Sequence, residues 1–94
     1  EGITTIGARA FIRMNQVLSI SLPSTLQHIK TYAFDNCSSL KSVFIPEGVR
    51  SIGYCAFQNC SALEFVSMPN SLREIGVAAF WSCQSLDNVW WYRQ

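Results

Sequence analysis

The stretch Ala56-Phe57-Gln58-Asn59-Cys60 lies near the middle of this 94-residue chain, and its first two residues recur through the whole sequence. The pair returns every 23 residues, at Ala10-Phe11, Ala33-Phe34, Ala56-Phe57 and Ala79-Phe80. A fixed period of this length indicates a solenoid, in which each repeat buries its apolar face only against its neighbours. We therefore predict one repeat domain over residues 1–94, with repeats at 1–23, 24–46, 47–69 and 70–92.

Several positions of the repeat are apolar in all four copies. Positions are counted from the first residue of each repeat. The third position holds Ile3, Leu26, Val49 and Leu72, and the sixth holds Ile6, Ile29, Ile52 and Ile75. The eleventh holds Phe11, Phe34, Phe57 and Phe80. Stacking one repeat on the next turns each of these positions into a continuous apolar stripe. We expect the four Phe residues to form a stacked spine through the core.

Local spacing predicts two short strands and a tight turn in each repeat. Leu40-x-x-Val43-x-Ile45 ends in the period-two alternation of a strand with one buried face, and Pro46 closes it because proline cannot donate to a strand ladder. Gly7, Gly53 and Gly76 then mark a turn, where the second repeat has Lys30. If that turn needs a positive φ, the backbone of Lys30 is expected to be strained.

Three runs together resemble the BspA-like leucine-rich repeat: Ser38–Pro46, Val49–Gly53 and Ala56–Cys60. The resemblance covers essentially the whole chain. It implies a β-rich solenoid, a right-handed leucine-rich-repeat stack of four 23-residue coils with short parallel strands and tight turns. It also implies a cell-surface or secreted protein with a role in cell adhesion. Met14, Lys30 and Tyr92 depart from the pattern of the other repeats.

The composition of the chain restricts the classes of partner that it is expected to bind. Seven Lys and Arg against six Asp and Glu give a net charge of +1, and 49% of the residues are hydrophobic. The basic face of a nucleic-acid binder is missing, so we expect no nucleic-acid partner. Neither a charged-then-apolar leader nor a run of about 18 apolar residues is present, so we expect no membrane insertion by this segment. The chain starts in register with its own repeat, and we expect it to be part of a longer array.

The cysteines and the single histidine are the residues that invite a chemical role. Cys37, Cys60 and Cys83 share one position of the repeat, and Cys55 stands apart. A zinc ion needs sulfurs converging at about 2.3 Å, whereas neighbouring rungs of a stack lie about 4.8 Å apart with parallel side chains. The rung spacing is compatible with a disulfide, but parallel Cβ vectors do not meet well. We expect four free thiols, a solvated His28, and no catalytic, cofactor-binding or metal-binding residues.

The face that we predict to be concave is the place where binding is expected. Between the buried strand residues, outward positions carry mostly small polar side chains and three large aromatic ones, which can form a diagonal strip. The predicted protein-binding residues are Phe44, Phe65, Trp90, Ser42, Ser67 and Asn88.

The sequence thus favours a non-enzymatic protein-interaction module, part of a surface adhesin that binds an extracellular matrix or host surface protein without a cofactor. The alternative is a structural spacer, whose repeats display another domain and bind no ligand of their own. The two differ in how well the outward strand positions tolerate substitution.

Overall fold

The structure, a computed structural model, describes residues 2–86. Within that range the chain forms seven short strands and no helix. The strands are β1 Thr5–Ile6, β2 Ser19–Ile20, β3 His28–Ile29, β4 Ser42–Phe44, β5 Ser51–Ile52, β6 Phe65–Ser67 and β7 Glu74–Ile75. The two strands predicted for each repeat are therefore present in the first three repeats, which we call coils 1 to 3. In the fourth repeat, which we call coil 4, the described residues include the first strand, β7.

The seven described strands pair between coils and not within one. The first strands of the coils form a four-stranded sheet in the order β1-β3-β5-β7, and the second strands form a three-stranded sheet in the order β2-β4-β6. All pairs are parallel, and Ile6, Ile29 and Ile52 face one another in register along the first sheet. This confirms a β-rich repeat solenoid with short parallel strands.

Left-handed backbone recurs at two positions of every coil. Among residues 2–86, eight non-glycine residues have φ between 56° and 64°. They fall at the ninth and thirteenth positions of the repeat: Arg9, Tyr32, Cys55, Ala78 and Arg13, Asn36, Asn59, Ser82. Asparagine tolerates this region better than most residues because its short polar side chain bonds locally.

The left-handed residues give the Ala-Phe segment a ladder of its own. The amides of Cys55, Phe57 and Asn59 donate to carbonyls of the next coil, at 3.2, 2.7 and 2.8 Å. The amides in between turn back within the coil, as Ala56 does to the Gly53 carbonyl at 3.1 Å. Alternate amides of this segment therefore form hydrogen bonds between coils, although the segment is not a β-strand. Within the described residues, every buried side-chain nitrogen or oxygen atom has a hydrogen-bond partner.

The expected strain at Lys30 was wrong, because Lys30 is not among the residues with positive φ. Glycine is used at this position for close approach between coils. A Cβ on Gly53 would lie 2.7 Å from the Lys30 carbonyl carbon, and one on Gly76 would lie 2.4 Å from the Tyr54 nitrogen. Lys30 is accommodated where the coils are slightly further apart: its amide donates over 3.0 Å, against 2.7 Å for Gly53 and for Gly76.

The predicted phenylalanine spine is confirmed. The rings of Phe11, Phe34, Phe57 and Phe80 stack along the solenoid with centroids 5.5, 5.0 and 5.3 Å apart and planes within 15° of parallel. Phe57 is completely buried, whereas Phe11 is 42% exposed. The core is therefore deepest in coils 2 and 3.

Candidate functional site

The outward side of the three-stranded sheet carries the predicted binding residues. Strand alternation buries Val43 and exposes its neighbours, and the parallel register sets Ser42 opposite Phe65 and Phe44 opposite Ser67. Phe44 is 62% exposed and Phe65 is 45% exposed. Their ring centroids lie 5.5 Å apart with planes tilted by 56°. We call this surface, formed by Phe44 and Phe65 and bordered by Ser42 and Ser67, the Phe patch.

Two of the six predicted residues, Asn88 and Trp90, lie outside the described residues. The structure brings together the other four. The two aromatic rings are diagonal neighbours on adjacent strands, so the short distance between them follows directly from the sheet register.

The cysteine ladder has a structural use. All four cysteines are free thiols, as expected. The thiols of Cys37, Cys60 and Cys83 donate to the carbonyls of Phe11, Phe34 and Phe57 in the preceding coil, at 3.2, 3.3 and 3.1 Å. Hydrogen bonding to its two neighbouring thiols, with burial, raises the pKa of Cys60 well above the usual thiol range. Cys60 is therefore a protonated hydrogen-bond donor.

No group of three or more metal-ligating side chains comes together within residues 2–86. His28 is half-buried, so it is less exposed than a fully solvated residue. Its Nδ1 lies 2.8 Å from the Ser51 hydroxyl oxygen, in a hydrogen bond between neighbouring strands. This pair ties β3 to β5.

Sequence reasoning missed two outer features. A groove of about 600 Å³ crosses the four-stranded sheet, lined by residues of coils 2, 3 and 4 that include Lys30, Ser51 and Arg73. Next to it, Tyr32 meets Tyr54 edge-on at 5.7 Å, and the Arg9 guanidinium stands 4.6 Å above the Tyr32 ring. The glycine that recurs at the seventh position of the repeat was the sequence signal from which this groove could have been predicted.

The described part of the chain contains no helix long and apolar enough to cross a membrane.

The family model of the BspA type leucine rich repeat region matches residues 1–93. A leucine-rich repeat protein of T. pallidum is 27% identical, with a TM-score of 0.59 over 89% of this chain and 50% of that one. A leucine-rich repeat protein from Bacteroides ovatus is 29% identical, with a TM-score of 0.44 over 89% of this chain and 34% of that one.

This chain thus spans half the length of the T. pallidum protein. No curated protein matches it. The 23-residue period, the paired parallel sheets and the family match agree, and the chain belongs to the BspA-type leucine-rich repeat family.

Proposed function

We propose that this chain is a protein-interaction module whose partner docks on the Phe patch. One observation carries the proposal: two large aromatic side chains, 62% and 45% exposed, contact each other on adjacent strands of a face otherwise lined by serines. Single exposed apolar residues are ordinary on protein surfaces. A contacting pair is a contiguous apolar surface, and aromatic anchors supply most of the energy of protein interfaces.

The partner is a protein of the extracellular matrix or of a host surface, and the parent protein acts in adhesion at the cell surface. Membership of the BspA-type family supports this assignment. Asn88 and Trp90 follow Phe65 and Ser67 by 23 residues in the sequence, and they stay predicted members of the binding site. The repeats at 1–23, 24–46, 47–69 and 70–92 belong to a longer array.

The test is binding of the immobilised chain to a soluble extracellular-matrix extract, compared with the double variant Phe44→Ser/Phe65→Ser. We expect at least about a tenfold loss of affinity, as for removal of an interface anchor, with an unchanged melting curve. Because the net charge is only +1, binding should depend weakly on salt.

The matched control is Tyr54→Ser/Trp81→Ser, since these side chains are 48% and 62% exposed and lie outside the patch. It should bind like the parent chain. If the Phe variant keeps its affinity, the patch is not the site. If the parent chain binds nothing in the extract, the spacer alternative is favoured.

A further inference from the structure

The groove on the four-stranded sheet is separate from the Phe patch and has no role in the function proposed above. It has a volume of about 600 Å³ and runs over three consecutive coils. We call it the sheet groove and define it by Lys30, Thr31, Ser51, Gly53, Arg73 and Glu74. A trough of this size matches the volume of ordinary binding sites.

Two cationic residues, Lys30 and Arg73, line the groove. Gly53 and Gly76 line it without side chains, while Lys30 holds the same position of the repeat in coil 2. Lys30 therefore adds a cationic residue to the lining in coil 2, and Arg73 adds a second one in coil 4.

The charges of the groove are unpartnered within the described residues. Lys30, Arg73 and Glu74 are exposed, and their side chains make no ion pair or hydrogen bond with residues 2–86. Arg50 adds a further exposed cation at the same position of the repeat as Arg73, in coil 3. The groove and its border are thus net positive, and an acidic ligand complements them.

The spacing of the two cations sets the shape of that ligand. Lys30 and Arg73 are two strand steps apart across the sheet, about 10 Å, and three residues apart along the strands, again about 10 Å. The diagonal is roughly 14 Å, which an extended peptide covers in about four residues at 3.3 Å each. We propose that the sheet groove binds an extended acidic peptide segment of a partner protein, with carboxylates at positions i and i+4.

Glu74 sharpens the specificity. It lies beside Arg73 and repels a continuous run of carboxylates. In coil 3, which lies between the coils of Lys30 and Arg73, the small residues Ser51 and Gly53 line the groove. A segment with two spaced carboxylates and small neutral residues between them fits better than a fully acidic one.

The test uses fluorescence anisotropy at low salt with two labelled heptapeptides of equal charge. One has the sequence Ser-Glu-Ser-Ser-Ser-Glu-Ser, and the other carries its two Glu residues side by side among five Ser. We expect the spaced peptide to bind at least about threefold more tightly. The variant Lys30→Gln/Arg73→Gln should weaken its binding at least about tenfold.

The control variant Lys41→Gln/Arg13→Gln removes the same charge outside the groove, and it should weaken binding less than about threefold. Equal losses in the two variants would show unspecific attraction to a cationic chain and overturn the proposal. So would equal binding of the two peptides, or no binding at millimolar concentration. Polygalacturonate that binds through Lys30 and Arg73 more tightly than the spaced peptide would assign the groove to an acidic polysaccharide instead.

Discussion

Coil 1 and coil 3 both have apolar residues at the third, sixth and eleventh positions of the repeat, yet they differ in how deeply those residues are buried. Phe57 and Val49 are completely buried in coil 3, whereas the equivalent Phe11 and Ile3 of coil 1 are 42% and 61% exposed. Within the described residues, coil 3 packs between coils 2 and 4, and coil 1 packs against coil 2. Burial in this fold therefore depends on the interfaces between coils. A residue is expected to contribute more to stability when its coil packs against two neighbouring coils than when it packs against one.

The largest expected effect is in the phenylalanine spine. Phe57→Ala should lower the free energy of unfolding by about 3–5 kcal/mol, because it removes a fully buried ring stacked on two neighbours. Phe11→Ala should cost less than half of that, since Phe11 stacks on Phe34 alone and is partly solvated. Chemical denaturation of both variants measures the difference. Phe44→Ala, in an exposed residue, is the control and should cost little; equal losses at Phe57 and Phe11 would contradict a one-dimensional stack.

The glycine column gives the next largest contrast. Gly76→Ala should destabilise by about 2–3 kcal/mol because its Cβ would overlap with the backbone of the preceding coil, 2.4 Å from the Tyr54 nitrogen. Gly7→Ala should instead stabilise by about 0.4–1 kcal/mol, since nothing lies within 4 Å of its Cβ and the unfolded chain loses entropy. Thermal melting of the two variants shows whether the signs are opposite. Two shifts of the same sign would rule out close approach as the reason for glycine.

The fourteenth position of the repeat, Cys60 in coil 3 and Met14 in coil 1, compares the two coils through a hydrogen bond. Cys60→Ala should cost about 1–2 kcal/mol because it leaves the buried Phe34 carbonyl without its thiol donor. Met14→Cys in coil 1 should change the stability little, because the Met14 side chain is 38% exposed and no carbonyl of a preceding coil faces it in the described structure. Denaturant midpoints provide the measurement. A Met14→Cys effect as large as that of Cys60→Ala would remove the carbonyl as the explanation.

The smallest expected effect is the relief of left-handed backbone strain by glycine, and it should be equal near the two ends of the described chain. Arg13 and Ser82 both have left-handed backbone, with φ of 60° and 64°. Arg13→Gly and Ser82→Gly should each raise the free energy of unfolding by about 0.5–1 kcal/mol, because this strain is local and does not depend on stacking. The control Gln16→Gly, at a residue without positive φ, should lower it by a similar amount. A gain at one end only would mean that stacking sets the backbone conformation.

Much of this fold is predictable from the sequence, because a 23-residue period assigns equivalent residues to equivalent places. The spine of Phe11, Phe34, Phe57 and Phe80 and the diagonal contact of Phe44 with Phe65 both follow from position and alternation. The diagonal placement of Phe44 and Phe65 follows once the parallel register is assumed.

Other features leave little trace in the residue types. The left-handed ninth position holds Arg9, Tyr32, Cys55 and Ala78, which share no side-chain property, so only Asn36 and Asn59 at the thirteenth position give a signal. A glycine can indicate a positive φ or a close approach, and Lys30 was misjudged for that reason. The hydrogen bond of Cys60 depends on where the carbonyl of Phe34 points, which no pattern of residues specifies. The sheet groove arises from three coils at once and is visible only after they are stacked.

The most direct test of the account is to lengthen the stack by one coil. A second copy of residues 47–69, inserted after Pro69, keeps the 23-residue register of every strand pair. We predict that the free energy of unfolding and its dependence on denaturant both rise, because one more complete interface is buried. The same insertion lacking Ser61 breaks the register and should destabilise the chain. A full-length insertion that leaves stability unchanged or lowers it would contradict a fold held together by the interfaces between its coils.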